Sequence, residues 1–133
     1  MLKQWFTLTL PILAVYVASD VAARAGWYGR YEHLDVLAHL LGGAAIAWSW
    51  LRYTDTFHPT LTASARYRIL VAAGIVALAA VCWEFYEFVF DVRDGAPLRQ
   101  ISLANTMQDL ACGLIGGIAT AALVIQQQER KSS

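Results

Sequence analysis

The fold is decided by residues 68–90, which read RILVAAGIVALAAVCWEFYEFVF. After Arg68 at its start, this stretch carries charge only at Glu84 and Glu87, close to its end. A helix that crosses the hydrocarbon core of a bilayer needs about 20 mostly apolar residues. The stretch is long enough and apolar enough to be such a helix, so it predicts a transmembrane span.

Three further segments meet the same criterion, and the pieces between them are short. The chain has 133 residues, of which 58% are hydrophobic, and this leaves too little polar surface for a soluble domain of that length. We therefore predict an all-α polytopic membrane protein, a four-transmembrane-helix bundle that forms a single domain over residues 1–133. The predicted spans are approximately 5–23, 34–53, 68–90 and 103–125.

The first segment has an alternative interpretation as a secretory signal peptide. Lys3, the apolar run behind it and the small residues around Ser19 resemble the parts of such a peptide. The apolar run is long for a signal peptide, and Pro11 is tolerated in a membrane helix when neighbouring helices satisfy the freed carbonyl. We favour a retained span.

Five ionisable residues of the second, third and fourth predicted spans lie toward one membrane face. Asp35 and His39 are near the start of the second span, Glu84 and Glu87 near the end of the third, and Asp109 near the start of the fourth. Connectivity places all of them near one membrane face, and His39, Glu84 and Asp109 each lie about 6–10 Å inside the ends of their spans at 1.5 Å rise per residue. Ionisable groups inside a bilayer are costly, and by default they mark a functional site.

Helical spacing brings these residues onto shared faces. Asp35 and His39 are four residues apart, as are Asn105 and Asp109, so each pair lies on one side of its helix. Both stripes continue into glycines, at positions 42, 43, 113 and 116. Small residues let membrane helices approach closely, so we expect the polar stripes to face neighbouring helices.

Carboxylates gathered at one depth need protons, arginines or a metal cation to offset their repulsion. One histidine with carboxylates from three helices suits a divalent ion, and the oxygen-rich set fits Mn, Fe, Mg or Zn without choosing among them. The predicted metal-site residues are Asp35, His39, Glu84, Glu87 and Asp109, with Asn105, Arg93 and Arg99 beside them. No catalytic residue is assigned.

Structural interpretations compete with this prediction. His39 alone fits a hydrogen-bonded structural histidine, and Glu84 and Glu87 fit ion pairs with Arg30, Arg93 or Arg99. Asp91 and Asp94 are expected to be solvated. Cys82 and Cys112 are expected to be buried small side chains, and whether they interact stays open.

The basic residues favour one orientation. The two termini and the 52–68 loop hold six Lys or Arg and two acidic residues. The opposite face holds four Arg and eight acidic residues, which include Glu32 and the four carboxylates of the predicted metal site. The positive-inside rule counts only Lys and Arg, and it places both termini in the cytoplasm. In a bacterium the acidic cluster would then face the periplasm.

The residues of the cluster also carry a family resemblance. The pattern Asp35-x3-His39-x2-Gly42, then WEFYE at 83–87 and NTMQDLACGLIGG at 105–117, resembles the YjdF-type inner-membrane proteins and, more distantly, the VanZ-like family. The resemblance covers the second to fourth spans. It implies a bacterial inner-membrane location without an established reaction, and its VanZ-like side implies an envelope role.

Three functional hypotheses follow. The first is a metal-dependent enzyme that acts on a lipid or lipid-linked substrate, with Glu84 or Glu87 as general base and Arg93 and Arg99 holding an anionic head group. The second is a cation or proton transport component, and the third is a non-catalytic subunit of a larger membrane complex. We expect membrane lipids as partners, together with a homo-oligomer or a larger complex. The basic residues form no dense patch, so we expect no nucleic-acid partner.

Overall fold

The computed structural model describes residues 2–31, 33–59, 64–95, 99–100 and 102–132, and these residues form four long helices. Helix α1 is Leu2–Arg24, α2 is His33–Phe57, α3 is Ala65–Asp94 and α4 is Leu103–Ser132. Each contains a segment long and apolar enough to cross a membrane. The prediction of an all-α bundle of four transmembrane helices is confirmed. Glu32, which entered the charge count, lies outside the described residues.

Glycines and serines set the ends of the helices. Gly26 and Gly95 follow α1 and α3 with φ of 69°, a left-handed conformation that glycine adopts without steric cost. The amide of Gly95 donates to the carbonyl of Asp91, which closes the last turn of α3. At the starts of α3 and α4, the hydroxyls of Ser64 and Ser102 accept hydrogen bonds from backbone amides three residues later.

Helices α2 and α4 form the closest contact in the bundle. A side-chain Cβ at Gly43 would overlap the backbone carbonyl of Gly113, and one at Gly116 would overlap the carbonyl of Leu40. Only glycine permits this approach of the two backbones. The contact lies about one helical turn from His39 and Asp109, so it brings those two side chains together.

Helix α1 is the peripheral helix. Among the described residues its backbone packs against α2 and not against α3 or α4. Pro11 lacks the amide that would bond the carbonyl of Thr7, and close by the hydroxyl of Ser49 on α2 donates to the carbonyl of Leu8 at 2.7 Å. This buried hydrogen bond ties α1 to α2 near the proline.

The interior of the bundle differs between its two ends. At the end away from the cluster, an apolar core contains Leu51, Ala72, Ala121 and Ile125. Beyond it Arg68 donates to Asp55 and to Gln128, which ties the ends of α2 and α4 to the start of α3. Large apolar side chains on all four helices face outward, as expected of a surface that contacts lipid tails.

The prediction that Cys82 is buried is wrong. Cys82 is exposed and Cys112 is partly buried, and both thiols are free. Cys82 precedes the buried Glu84 by two residues, so the helical rotation places it on the opposite, outward side of α3.

Candidate functional site

The five predicted residues lie together at one end of the bundle, around His39. The Nε2 atom of His39 is 3.6 Å from Asp35 Oδ1 and 4.0 Å from Asp109 Oδ1. Two groups of three side chains have donor atoms within 4.8 Å of one another, and both include His39. One group adds Asp35 and Asp109; the other adds Glu84 and Glu87. The sequence prediction that separate helices converge here matches the observed arrangement.

Asn105 links the two aspartates. Its Nδ2 donates to Asp35 Oδ2 at 3.1 Å and to Asp109 Oδ2 at 2.8 Å, so one amide group bridges α2 and α4. These bonds occupy one oxygen of each carboxylate and leave the other, Oδ1, on the side of His39. Asn105 therefore orients both aspartates toward the imidazole.

The two glutamates are held by different donors. Gln100 donates from Nε2 to the backbone carbonyl of Glu84 and to its Oε2, at 2.9 and 3.0 Å. The indole of Trp83 donates to Glu87 Oε1 at 2.9 Å, one helical turn away. The sequence analysis missed Gln100, because a glutamine in a loop gives no periodic signal. Gln100 follows Arg99 in the loop before α4, at the membrane face that holds the cluster, and this position was the one signal in the sequence that could have indicated its contact with Glu84.

The prediction that Asp91 is solvated is wrong. Asp91 is buried, and its carboxylate accepts the backbone amides of Arg99 and Gln100 at 2.8 to 3.2 Å. It therefore fixes the segment that delivers Gln100 to Glu84. Asp94 is exposed, in agreement with the expectation, although it also pairs with arginines.

The predicted arginines lie beside the cluster and make other contacts. Arg93 pairs with Asp94 and lies over the ring of Phe90, and Arg99 pairs with Asp91 and Asp94. Burial alone would lower the pKa of Arg99, but hydrogen bonds to Asp94 and Asp91 raise it, so Arg99 stays a cation. In the part of the chain that the structure describes, no arginine forms an ion pair with Glu84 or Glu87.

Several oxygens of the cluster are buried without a hydrogen-bond donor. Asp109 is 2% exposed and Glu84 is 6% exposed. Asp109 Oδ1, Glu84 Oε1 and Asn105 Oδ1 have no hydrogen-bond partner among the described residues. Buried polar atoms in folded proteins are nearly always paired, so these three oxygens are positions where a water, an acid proton or a cation would be bound.

A groove runs from the cluster into the bundle between α1 and α3, with α2 as its floor. Its volume is about 430 Å³, within the roughly 300–1,000 Å³ range of small-molecule sites. Asp35, His39 and Glu87 line one end. The side walls are mostly apolar, and the rings of Tyr16 and Trp83 meet edge to face across the groove at 6.0 Å. The cluster is therefore accessible from the apolar interior of a membrane.

Two hydroxyl groups stand at the polar end of the groove, on Ser19 of α1 and on Tyr28 of the turn after it. Burial raises the pKa of Tyr28, so its phenol keeps the proton and remains a hydrogen-bond donor. The polar end thus combines acceptor carboxylates with neutral donors.

Comparison with known proteins gives one family and no individual relative. No similar protein was found among curated proteins, and no similar fold among solved structures. The family described as "Predicted membrane protein (DUF2238)" matches residues 3–130, and the YjdF-type resemblance is consistent with it. Because the match covers nearly the whole chain, this protein belongs to the DUF2238 family of predicted membrane proteins.

Proposed function

We propose that this protein is a small metal-dependent membrane enzyme that acts on a lipid or lipid-linked substrate. The observation that carries the proposal is the set of buried, unpaired carboxylate oxygens around His39. The metal, the substrate and the reaction are all part of the proposal.

The distances around His39 support a metal ion. Bonds from Zn²⁺ to nitrogen and oxygen ligands are about 2.0–2.2 Å long, so one ion can span donors up to about 4 Å apart. The 3.6 and 4.0 Å separations from His39 to Asp35 and Asp109 fit this limit and are too long for hydrogen bonds. Mn, Fe, Mg and Zn remain the candidate ions, since mixed oxygen and nitrogen donors suit all four.

The chemistry would take place where the cluster meets the groove. A divalent ion there would polarise a phosphoryl or carbonyl oxygen of the substrate, or lower the pKa of a bound water. Glu87 lines the groove, whereas Glu84 lies behind it and is held by Gln100. Of the two glutamates, Glu87 is therefore the better placed to accept a proton from an attacking water.

We place the protein in a bacterial inner membrane, with both termini in the cytoplasm and the cluster toward the periplasm. The support is the excess of Lys and Arg at the termini and the 52–68 loop, together with the family resemblance. Reporter fusions at the C-terminus test this orientation: a reporter active only in the cytoplasm should be active there, and a periplasmic reporter should not.

The two alternatives receive less support. A transport component would need a polar path through the opposite half of the bundle, where the buried core is apolar. A non-catalytic subunit would bury an outer face against a partner, and α3 offers the exposed Phe85 and Phe88 for this. These side chains equally suit contact with lipid tails. The VanZ-like resemblance, with its implied envelope role, stays a prediction.

Metal analysis of the purified protein tests the proposal. Wild type should carry about one Mn²⁺, Fe²⁺ or Zn²⁺ per chain, or bind Mn²⁺ when it is added, and His39→Ala should lose the ion. His33→Ala is the matched control, because His33 is an exposed histidine at the start of the same helix. Equal metal content in wild type and His39→Ala, or no binding by any variant, would overturn the proposal.

A further inference from the structure

The groove between α1 and α3 has the dimensions of a lipid chain from one leaflet. On α1 it extends from Thr9 to Ser19, and on α2 from Asp35 to Ile46. At 1.5 Å rise per residue these segments are about 15–17 Å long, close to half of the roughly 30 Å hydrocarbon core. The polar end lies near the membrane face, and the apolar end lies near the bilayer centre.

The groove is open at its side. Ile12, Leu13 and Tyr16 line it and are 39–51% exposed in the isolated chain. The backbones of α1 and α3 do not pack against each other in the described ranges, so the opening lies between two membrane-spanning helices, on the bilayer-centre side of the contact between Tyr16 and Trp83. At that depth the surrounding medium is lipid, and an aliphatic chain is the molecule available to fill the gap.

The polar end selects the head group. Asp35 and Glu87 would repel a phosphate if they were alone, whereas a divalent ion held by His39, Asp35 and Asp109 would attract it. Ser19 and Tyr28 add hydroxyl donors at the same end. Charge complementarity therefore favours a head group with a phosphate, placed against the cation.

We propose that the substrate is a glycerophospholipid of the leaflet nearest the cluster, which enters sideways between α1 and α3 with one acyl chain in the groove and its phosphate at the His39 cluster. The position of the acyl chain depends only on the groove, while the position of the phosphate rests on the proposed metal function.

Retention of phospholipid by the purified protein tests this inference. Native mass spectrometry of wild-type protein in mild detergent should show one bound phospholipid per chain. Ala79→Trp places an indole in the groove and should lower retention by about tenfold, the loss expected when about two buried methylenes are displaced. Leu78→Trp is the control, because the adjacent Leu78 is 63% exposed on the outside of α3.

A second groove variant distinguishes a filled groove from misfolding of Ala79→Trp. Ile46→Trp fills the groove from α2, and both groove variants should keep the helical content and metal content of wild type. Retention by Ala79→Trp and Ile46→Trp equal to that of Leu78→Trp would overturn the inference. So would a lipid-free dimer that Ala79→Trp dissociates, since the occupant would then be a second copy of the chain.

The lipid and metal outcomes can be separated. Metal in wild type without any groove-dependent lipid would contradict the lipid inference alone. Lipid that is lost in both groove variants, from a protein that binds no metal, would support the groove as a phospholipid site and contradict the proposed enzyme.

Discussion

The Nε2 atom of His39 lies 4.0 Å from Oδ1 of Asp109, an oxygen that is buried and has no hydrogen-bond partner among the described residues. The two residues come from α2 and α4, whose backbones touch at glycines about one turn away. A hydrogen bond would need a shorter separation, whereas an ion between the two atoms would satisfy both. Substitution of this pair is therefore the most direct test of the proposed metal site.

The first prediction concerns Asp109→Asn. Asparagine keeps the shape of the side chain and removes its negative charge, so the variant should fold. Its affinity for Mn²⁺ should fall by about 100-fold or more, because loss of a residue that only hydrogen-bonds to a metal ligand already lowers affinity by about 10–100-fold. Titration of the purified protein with Mn²⁺ measures the change. Asp94→Asn, outside the cluster, should bind as wild type does. Unchanged affinity in Asp109→Asn would show that Asp109 is a structural residue.

The second prediction concerns removal of the ion. A ligand that binds only the folded state stabilises it, by about 2.7 kcal/mol at 100 times its dissociation constant. Addition of EDTA should therefore lower the melting temperature of wild type and leave that of His39→Ala unchanged. The measurement is a thermal scan in detergent with and without the chelator. An equal decrease in the melting temperature of wild type and His39→Ala would mean that EDTA acts at a place other than the His39 cluster.

The third prediction concerns Asn105→Leu. The change removes the amide that donates to Asp35 and Asp109, so the two carboxylates lose their common anchor. We expect a loss of about 1–3 kcal/mol in the free energy of unfolding and a Mn²⁺ affinity about 10–100-fold lower. Gln108→Leu, an exposed position on the same helix, is the control for both measurements. Equal stability of the two variants would contradict the role assigned to Asn105.

The sequence predicted the helices and the location of the cluster because both depend on local patterns. Apolar length identifies each span, and the order of the spans determines which ionisable residues share a depth, so the convergence on His39 follows from connectivity. The stripe of Asn105 and Asp109 leading to Gly113 also indicated which side of α4 packs inward.

The remaining features depend on tertiary contacts that have no local signature. Gln100 reaches Glu84 from a loop, and Asp91 is buried because it accepts amides from that loop. The groove exists because, among the described residues, the backbone of α1 packs on α2 and not on α3 or α4, and helical periodicity does not reveal which neighbours a span lacks. The sequence offered Arg93 and Arg99 as partners of the glutamates, but nearby aspartates pair with these two arginines instead.

The fourth prediction compares two adjacent glycines. A Cβ at Gly43 would overlap the carbonyl of Gly113, whereas a Cβ at Gly42 would make an ordinary contact with Val15 at 3.9 Å. Gly43→Ala should therefore separate α2 from α4, lower the free energy of unfolding by about 1–3 kcal/mol and weaken Mn²⁺ binding. Gly42→Ala should do neither. Unfolding in a denaturing detergent measures stability, and equal behaviour of the two variants would contradict the observed approach of the helices.

The fifth prediction concerns the far end of the bundle, where Arg68 donates to Asp55 and Gln128, and Gln128 donates to Asp55 at 2.6 Å. Arg68→Met leaves the carboxylate without its cation and should cost about 1.5–3 kcal/mol, the range for hydrogen bonds to charged groups. Asp55→Leu combined with Arg68→Met should recover part of that loss, because the uncompensated charge is then removed. Both proteins should bind Mn²⁺ as wild type does, since the apolar core around Leu51 separates this triad from His39. Additive losses in the double variant would mean that the two side chains do not interact, and weakened Mn²⁺ binding would mean that the two ends of the bundle are coupled.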